Sequence, residues 1–281
     1  MTKTDFSLKV SVAQSSDYER VRRLCRRTVG PDDYVLWILR EVIKDRGLFL
    51  AWAGDELVGM TNFDKCIDGS GWFSMARTDP DWQGLGVARF LQYEIAKKAK
   101  KHGIKILRLW TLTTNHAAIR AFEKGGFHRV CEAVHVSHGF RSKTRGDYHQ
   151  ITGNVNSKRM LKSSYLSRTR GYFAYKWQFV KASEELIEEI KRKNELCSHN
   201  EQTFVLTKPE ISFHRLSSSF SLFEGDAVRT LRLILSKAKC MGVDWVGGYL
   251  PYDQQLLTAA LKTGFKVDGW GKHCLVFEKT S

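Results

Sequence analysis

The run WFSMART (72–78), the turn DPDWQGLG (79–86), the amphipathic stretch VARFLQYEIAKKAKKHG (87–103) and the run IKILRLWTL (104–112) follow one another without a break. Strand, helix and strand in that order read as a crossover unit, which sets two parallel strands at the heart of the fold. A chain built around such a unit is committed to a mixed α/β architecture. The helix is entered through Gln83-Gly84-Leu85-Gly86-Val87-Ala88. A glycine-bearing turn at a helix start exposes several backbone N–H groups together, at the positive end of the helix dipole, and phosphate or pyrophosphate is the natural occupant. The same glycines would also serve a turn that only redirects the chain. There is no Gly-Lys-Ser/Thr and no third glycine, so neither common nucleotide-binding loop fits.

The elements on either side follow the same logic. LKVSVAQ (8–14) alternates as a strand, and Ser15 or Ser16 is expected to cap a helix over SSDYERVRRLCRR. PDDYVLWILREVIKD (31–45) has helical spacing, and GLFLAWAGDELVGMTNF (47–63) reads as two strands around Gly54-Asp55. NHAAIRAFEKGG (115–126) is a helix stopped by glycine and FHRVCEAVHV (127–136) a strand. Beyond a polar, basic connector over 141–165, a strand GYFAYKWQFV (171–180) and a helix SEELIEEIKRKN (183–194) are expected, then strands near TFVLT and ISFHRL. The chain closes with helix 226–242, strand 243–250, helix 252–264 and strands FKVDGW and HCLVFEK. Helix, strand, helix, Gly-Phe and strand thus occur twice, and AFEKGGFHRV is echoed by ALKTGFKVDG. An old duplication accounts for this. Its second half has SLFEGD where the first has the glycine turn.

Hydrophobic residues make up 42% and charged residues 27%, the balance of a soluble globular protein rather than a disordered one. No apolar run reaches the roughly 20 residues of a membrane span, and the N-terminus lacks the form of a signal peptide, so a cytoplasmic location is expected. Cys25, Cys66, Cys131, Cys197, Cys240 and Cys274 form no CxxC pair, and neither they nor His135 and His138 suggest a metal site. The cysteines read as reduced, buried thiols. The net charge of +15 is unevenly spread: residues 141–181 hold 10 Lys+Arg against 1 Asp+Glu, and residues 182–281 hold 13 against 13. The basic segment interleaves Tyr148, Tyr165, Tyr172, Phe173, Tyr175 and Trp177, a pattern open to three readings: a solvated linker, contact with an acidic ligand, or contact with nucleic acid or a ribosome.

The turn resembles the acyl-CoA turn of the GNAT superfamily of N-acetyltransferases, Q/R-x-x-G-x-G/A, met here by Gln83, Gly86 and Ala88. The family's second signature, N-x-x-A-x-x-x-Y-E-K-x-G-F, is met by Asn115, Ala118, Glu123, Lys124, Gly126 and Phe127, with Phe122 in place of the tyrosine. The resemblance covers about residues 5–138. It implies an α/β fold with a mixed, mostly antiparallel sheet flanked by helices, and a second, degenerate GNAT-like domain. The expected division is a catalytic domain over 1–140, a basic linker over 141–165 and the degenerate domain over 166–281.

The resemblance also implies an acetyl-CoA-dependent N-acetyltransferase in which an amine attacks the thioester directly. The acceptor would be a small molecule, an amino acid or a protein N-terminus. Backbone groups of Ala76, Arg77 and Thr78 would pair with the pantetheine arm. N–H groups from Gln83, Gly84, Leu85, Gly86, Val87 and Ala88 would hold the pyrophosphate, with Asn115, Ala118 and Phe122 near the cofactor. Tyr34 and Trp37 on the second helix, with Trp72 and Trp110, are candidates for lining the acceptor side. Trp72 and Ser74 occupy the positions where family members carry a base, and Phe122 cannot donate a proton, so the usual acid–base pair is missing. Ser74, Glu41 and Asp64 remain as candidates for proton transfer. The departures leave a second class open, a protein that binds or senses acyl-CoA without turning it over.

Overall fold

The structure, a computed structural model, describes residues 7–141, 155–212 and 214–281. Two compact units make up the chain: Met1–Leu109 with Lys124–Gly126 and Lys279–Ser281, and Trp110–Glu123 with Phe127–Glu278.

The first unit runs β1 (Leu8–Val12), α1 (Tyr18–Thr28), α2 (Val35–Lys44), β2 (Leu48–Ala53), β3 (Glu56–Lys65), β4 (Gly71–Thr78), α3 (Val87–Lys101) and the start of β5 (Ile106–Leu112). The sheet order is β1-β2-β3-β4-β5. All pairs are antiparallel except β4 with β5, the parallel pair that the crossover through α3 demands. Val21, Leu24 and Cys25 of α1 and Val35, Leu39 and Ile43 of α2 bury one helical stripe against Leu48, Leu50 and Met60. On the opposite face α3 packs so closely that a Cβ on Gly59 would lie 2.6 Å from Val87 Cγ1. Two helix entries differ from expectation. Ser15 and Ser16 lie in a 3-10 turn, and Asp17 closes it, its carboxylate accepting the Gln14 N–H at 2.9 Å. The second helix starts at Val35 rather than Pro31, because the Asp33 carboxylate accepts the Val35 N–H at 3.1 Å.

The second unit carries α4 (His116–Lys124), β6 (His128–Gly139), α5 (Ser157–Met160), α6 (Ser164–Arg168), β7 (Tyr172–Tyr175), β8 (Gln178–Lys181), α7 (Glu184–Arg192), β9 (Leu196–His199), β10 (Gln202–Leu206), β11 (Glu210–Ser212), β12 (Arg215–Glu224), α8 (Ala227–Cys240), β13 (Trp245–Pro251), α9 (Gln254–Lys262), β14 (Lys266–Val267) and β15 (Cys274–Thr280). Its main sheet runs β15-β6-β13-β12-β10-β9. Here too one parallel pair, β12 with β13, is joined by a crossover helix, α8. Phe204, Phe220, Leu231, Ile234, Val246 and Phe265 centre its core.

The expected single strand over 171–180 is a hairpin, since Lys176 at φ 54° turns the chain between β7 and β8. FKVDGW holds only the two residues of β14 before Asp268 opens a 3-10 turn over Gly269–Gly271. ISFHRL is not one strand: it holds the end of β11, a turn in which His214 takes φ 59°, and the start of β12, which runs back antiparallel to β11. β12 extends through a serine-rich run in which Ser217, Ser219 and Ser221 find partners, Ser217 Oγ on the Glu210 carbonyl at 3.3 Å, while Ser218 Oγ is buried without a partner among the described residues. Of the basic connector, residues 142–154, including Tyr148, lie outside the described residues, and α5 and the start of α6 occupy the rest.

Candidate functional site

The glycine turn is held from below. Pro80–Trp82 form a 3-10 turn in which Asp79 accepts the Asp81 N–H at 3.0 Å. Trp82 is buried, and its indole N–H donates to Glu56 at 3.1 Å. Arg27 of α1 reaches both Asp79, at 3.3 Å, and Asp81, at 3.0 Å. Its guanidinium offsets two carboxylates that would otherwise repel an anion bound nearby.

Above this base the backbone opens. Gly84 and Gly86 adopt φ of 78° and 84°, and a Cβ on either would meet nothing within 4 Å. The left-handed backbone is what requires glycine here. Gln83 N–H bonds Pro80 O, and Leu85 N–H bonds Trp82 O, each at 3.4 Å. The N–H groups of Gly84, Gly86, Val87, Ala88 and Arg89 have no acceptor among the described residues, and no side chain caps α3. Five donors are therefore left open at the positive end of a 15-residue helix. Of the six turn residues expected to donate, Gln83 and Leu85 spend their N–H groups inside the turn.

Next to the turn, β4 changes course. Its parallel pairing with β5 consists of Gly71–Leu107 and Trp72–Arg108. Arg108, buried, pins that end through Asp68 at 2.6 Å and Ser70 at 2.7 Å. Past Trp72 only β3 pairs with β4. Met60 pairs with Arg77 and Asn62 with Ser74, so Met75 and Ala76 together oppose Thr61. Met75 takes φ 55°, a left-handed backbone that costs an ordinary residue about 1–2 kcal/mol. Thr61 Oγ1 steadies the bulge by donating to the Ser74 carbonyl at 3.1 Å. One edge of Ala76, Arg77 and Thr78 is thereby left open to an extended ligand.

The bulge also sets which side chains share a face. Met60, Asn62 and Asp64 alternate onto the side of the sheet covered by α1 and α2, and their partners Arg77, Ser74 and Trp72 lie on that side too. Asn62 Nδ2 donates to Asp64 Oδ2 at 2.6 Å and lies 3.4 Å from Ser74 Oγ. Burial raises the Asp64 carboxyl above the ordinary carboxylate value, against the pull of the Asn62 amide. Two of the three proton-transfer candidates, Asp64 and Ser74, thus form one cluster around Asn62, a residue that sequence reasoning missed. Its signal was present as Asn-x-Asp along a strand. Gly47 makes room, since a Cβ there would lie 2.7 Å from Asn62 Oδ1. Glu41 is exposed on α2.

Among the acceptor-side candidates, Tyr34 and Trp37 are exposed at 38% and 52%, whereas Trp72 is packed into the core at 3%. Arg77, expected to contribute through its backbone, also makes a buried bidentate pair with Asp33, with Nε–Oδ2 at 2.9 Å and Nη2–Oδ1 at 2.7 Å. That pair ties the start of α2 to the bulged strand. Asp33→Asn removes the charge and one arm of the fork, and is expected to lower unfolding stability by about 2 kcal/mol. Urea denaturation measures it, and an unchanged midpoint would show the tie to be idle.

The remaining candidates belong to the second unit. Asn115 Oδ1 accepts the Ala118 N–H at 3.2 Å, which makes it the cap of α4. Phe122 is half-buried against Phe127 and Phe277. Trp110 packs with Tyr249 and Trp270. The turn before α8, the counterpart of the glycine turn by element order, is filled. Asp226 accepts the Arg229 N–H at 2.9 Å, and a Cβ on Gly225 would lie 2.0 Å from Gln202 Oε1. His135 is fully buried, with Nδ1 2.6 Å from Asp268 Oδ2 and Nε2 without a partner among the described residues. Burial lowers its pKa, against the pull of Asp268. Cys25, Cys66, Cys131, Cys197 and Cys274 are buried, and Cys240 is half-buried. Among the described residues no three His, Cys, Asp or Glu side chains lie together as a metal site, and no helix is long and apolar enough to cross a membrane.

Comparison with known proteins bears on both units. Residues 16–127 match the model of the acetyltransferase (GNAT) family. A mycothiol acetyltransferase from Geodermatophilus obscurus is 34% identical over 97 residues, 32% of this chain and 31% of that protein. The chain thus matches about a third of that relative's length. A GCN5-related N-acetyltransferase from Sphaerobacter thermophilus has the same fold over 97% of this chain and 95% of its own, with a TM-score of 0.59 at 12% identity. A Pyrococcus horikoshii structure, likewise described as an acetyltransferase, aligns over 100% of this chain and 92% of its own, with a TM-score of 0.56 at 16% identity.

Proposed function

From the premise that residues 16–127 belong to the GNAT acetyltransferase family, we propose that the protein is an acetyl-CoA-dependent N-acetyltransferase acting on a primary amine. The open cradle carries this reading. Five N–H groups without acceptors among the described residues, two left-handed glycines and a helix N-terminus fit a pyrophosphate. The free edge of Ala76, Arg77 and Thr78, set by the Met75 bulge, fits an extended amide-bearing arm. Asn115, Ala118 and Phe122 are assigned to the cofactor on the strength of the signature they match.

When bound, acetyl-CoA supplies a thioester carbonyl that an amine can attack. Asp64 takes the proton from the acceptor ammonium. Its raised pKa makes it a better base than a solvated carboxylate, and Asn62 orients it. Tyr34 and Trp37, exposed on the helix-covered side that also carries Asp64, are assigned to the acceptor. Phe122 offers no proton to the leaving thiolate, so water does. The acceptor is an amine of a small molecule, an amino acid or a protein N-terminus.

Thiol release from acetyl-CoA, followed with a panel of amines, amino acids and peptides, tests the proposal. Amine-dependent release at least about tenfold above hydrolysis is expected. Tight CoA binding with no release on any amine would instead mark an acyl-CoA sensor.

A further inference from the structure

In the second unit β9 is the edge strand of the main sheet, and α8 packs across β10 beside it. Cys197 of β9 and Lys237 in the last turn of α8 are both buried, at 2% and 8% exposure. Burial is the usual state of a cysteine but rare for a lysine. The Lys237 ammonium nitrogen lies 2.7 Å from Cys197 Sγ. An N–H···O hydrogen bond spans about 2.7–3.2 Å, and sulfur is a larger acceptor than oxygen, so a hydrogen bond to sulfur belongs at a longer distance than this. A direct N–S bond would be far shorter. The observed separation suits a nitrogen and a sulfur joined through one intervening atom. Burial holds the Cys197 thiol above its ordinary value and the adjacent Lys237 offsets only part of that rise, so the S–H form is the one that meets the oxidant.

We propose that Cys197 and Lys237 are a site of oxidative cross-linking, joined through a single oxygen atom as an Nζ–O–Sγ bridge between α8 and β9. Dioxygen is the oxidant. Cys197 gives up its S–H hydrogen and Lys237 one N–H hydrogen. One oxygen atom forms the S–O and O–N bonds, and the other leaves as water with those two hydrogens. Sulfur and nitrogen are each oxidised by two electrons, and dioxygen takes all four. If Lys237 begins as the ammonium, its extra proton is released to solvent. Burial suits a small oxidant and excludes bulky thiols that would cap the sulfur first. The bridge closes the chain between residues 197 and 237, which restricts the unfolded ensemble as any cross-link does. It therefore raises the melting temperature in oxidised protein, and a dithiol reductant reverses the gain.

The full chain, digested after exposure to air, provides the test. A peptide pair containing Cys197 and Lys237 is expected, one oxygen heavier and two hydrogens lighter than the sum of its parts and absent after dithiothreitol. Thiol titration in denaturant should rise on reduction from five to all six cysteines. Lys237→Arg keeps the positive charge but cannot form the bridge, so its titration and melting temperature should not respond to reductant. Three outcomes overturn the proposal: six titratable thiols in the air-exposed protein, a pair lighter by two hydrogens with no oxygen gained, or Cys197 found in a disulfide.

Discussion

Gly86→Glu is expected to weaken acetyl-CoA binding by more than about a hundredfold, a loss of about 2.7 kcal/mol. Two effects combine at one position. Gly86 sits at φ 84°, where a side chain costs about 1–2 kcal/mol. The new carboxylate would also project into the open space above the turn, where the N–H groups of Val87, Ala88 and Arg89 have no acceptor among the described residues. An acid there behaves as a tethered anion. It caps α3 itself, which offsets part of the backbone cost, and it repels the pyrophosphate that would otherwise bind. The fold should persist, with circular dichroism unchanged while titration calorimetry loses its signal. Gly86→Ala separates the two effects, since it carries the backbone cost without the charge and should weaken binding only about tenfold. Wild-type affinity in the Glu variant would refute the cradle.

Asp64→Asn should lower turnover about a thousandfold while leaving the acetyl-CoA dissociation constant unchanged. The substitution keeps shape and leaves an oxygen for the Asn62 amide. Because burial raises the carboxyl, wild-type turnover should fall as the pH drops through the raised folded-state value, and the variant should lack that limb. The sign for stability is the reverse of the usual carboxylate case. A folded pKa above the unfolded one means the native state binds the proton more tightly, so ionised Asp64 opposes folding at neutral pH, and the penalty disappears as the pH falls through the folded value. The variant should therefore melt no lower than wild type at neutral pH, with any advantage shrinking in acid. Wild-type turnover in Asp64→Asn would remove this residue from the mechanism.

What the sequence made legible was local or periodic. The turn announced itself because left-handed backbone selects glycine, and the crossover because its helix and strands have different apolar periods. The strand hairpin at Gly54-Asp55 and the buried cysteines follow from equally short-range rules. The Met75 bulge was invisible, since a methionine in the left-handed region carries no compositional mark. With it went the face assignment that brings Ser74, Asn62 and Asp64 into one cluster. Asp33 with Arg77, 44 residues apart, and Asp68 with Arg108, 40 apart, are legible only once the strands are in register. ISFHRL hid a hairpin because its turn carries no glycine, and β12 continues through serines that read as loop until Ser217, Ser219 and Ser221 find partners.

The turn before α8 follows the same chain path as its counterpart before α3, but Asp226 and Gln202 occupy it from within. Each unit must satisfy the amides at the start of a crossover helix: before α8 Asp226 does so from within the chain, and before α3 the exposed amides are open to water or to an added anion. On the proposed function an anion that fills the first turn binds the folded chain alone, so acetyl-CoA is expected to raise the melting temperature as its concentration rises. One acidic side chain at a helix start, Asp226, thus distinguishes a turn closed by the chain itself from one left open.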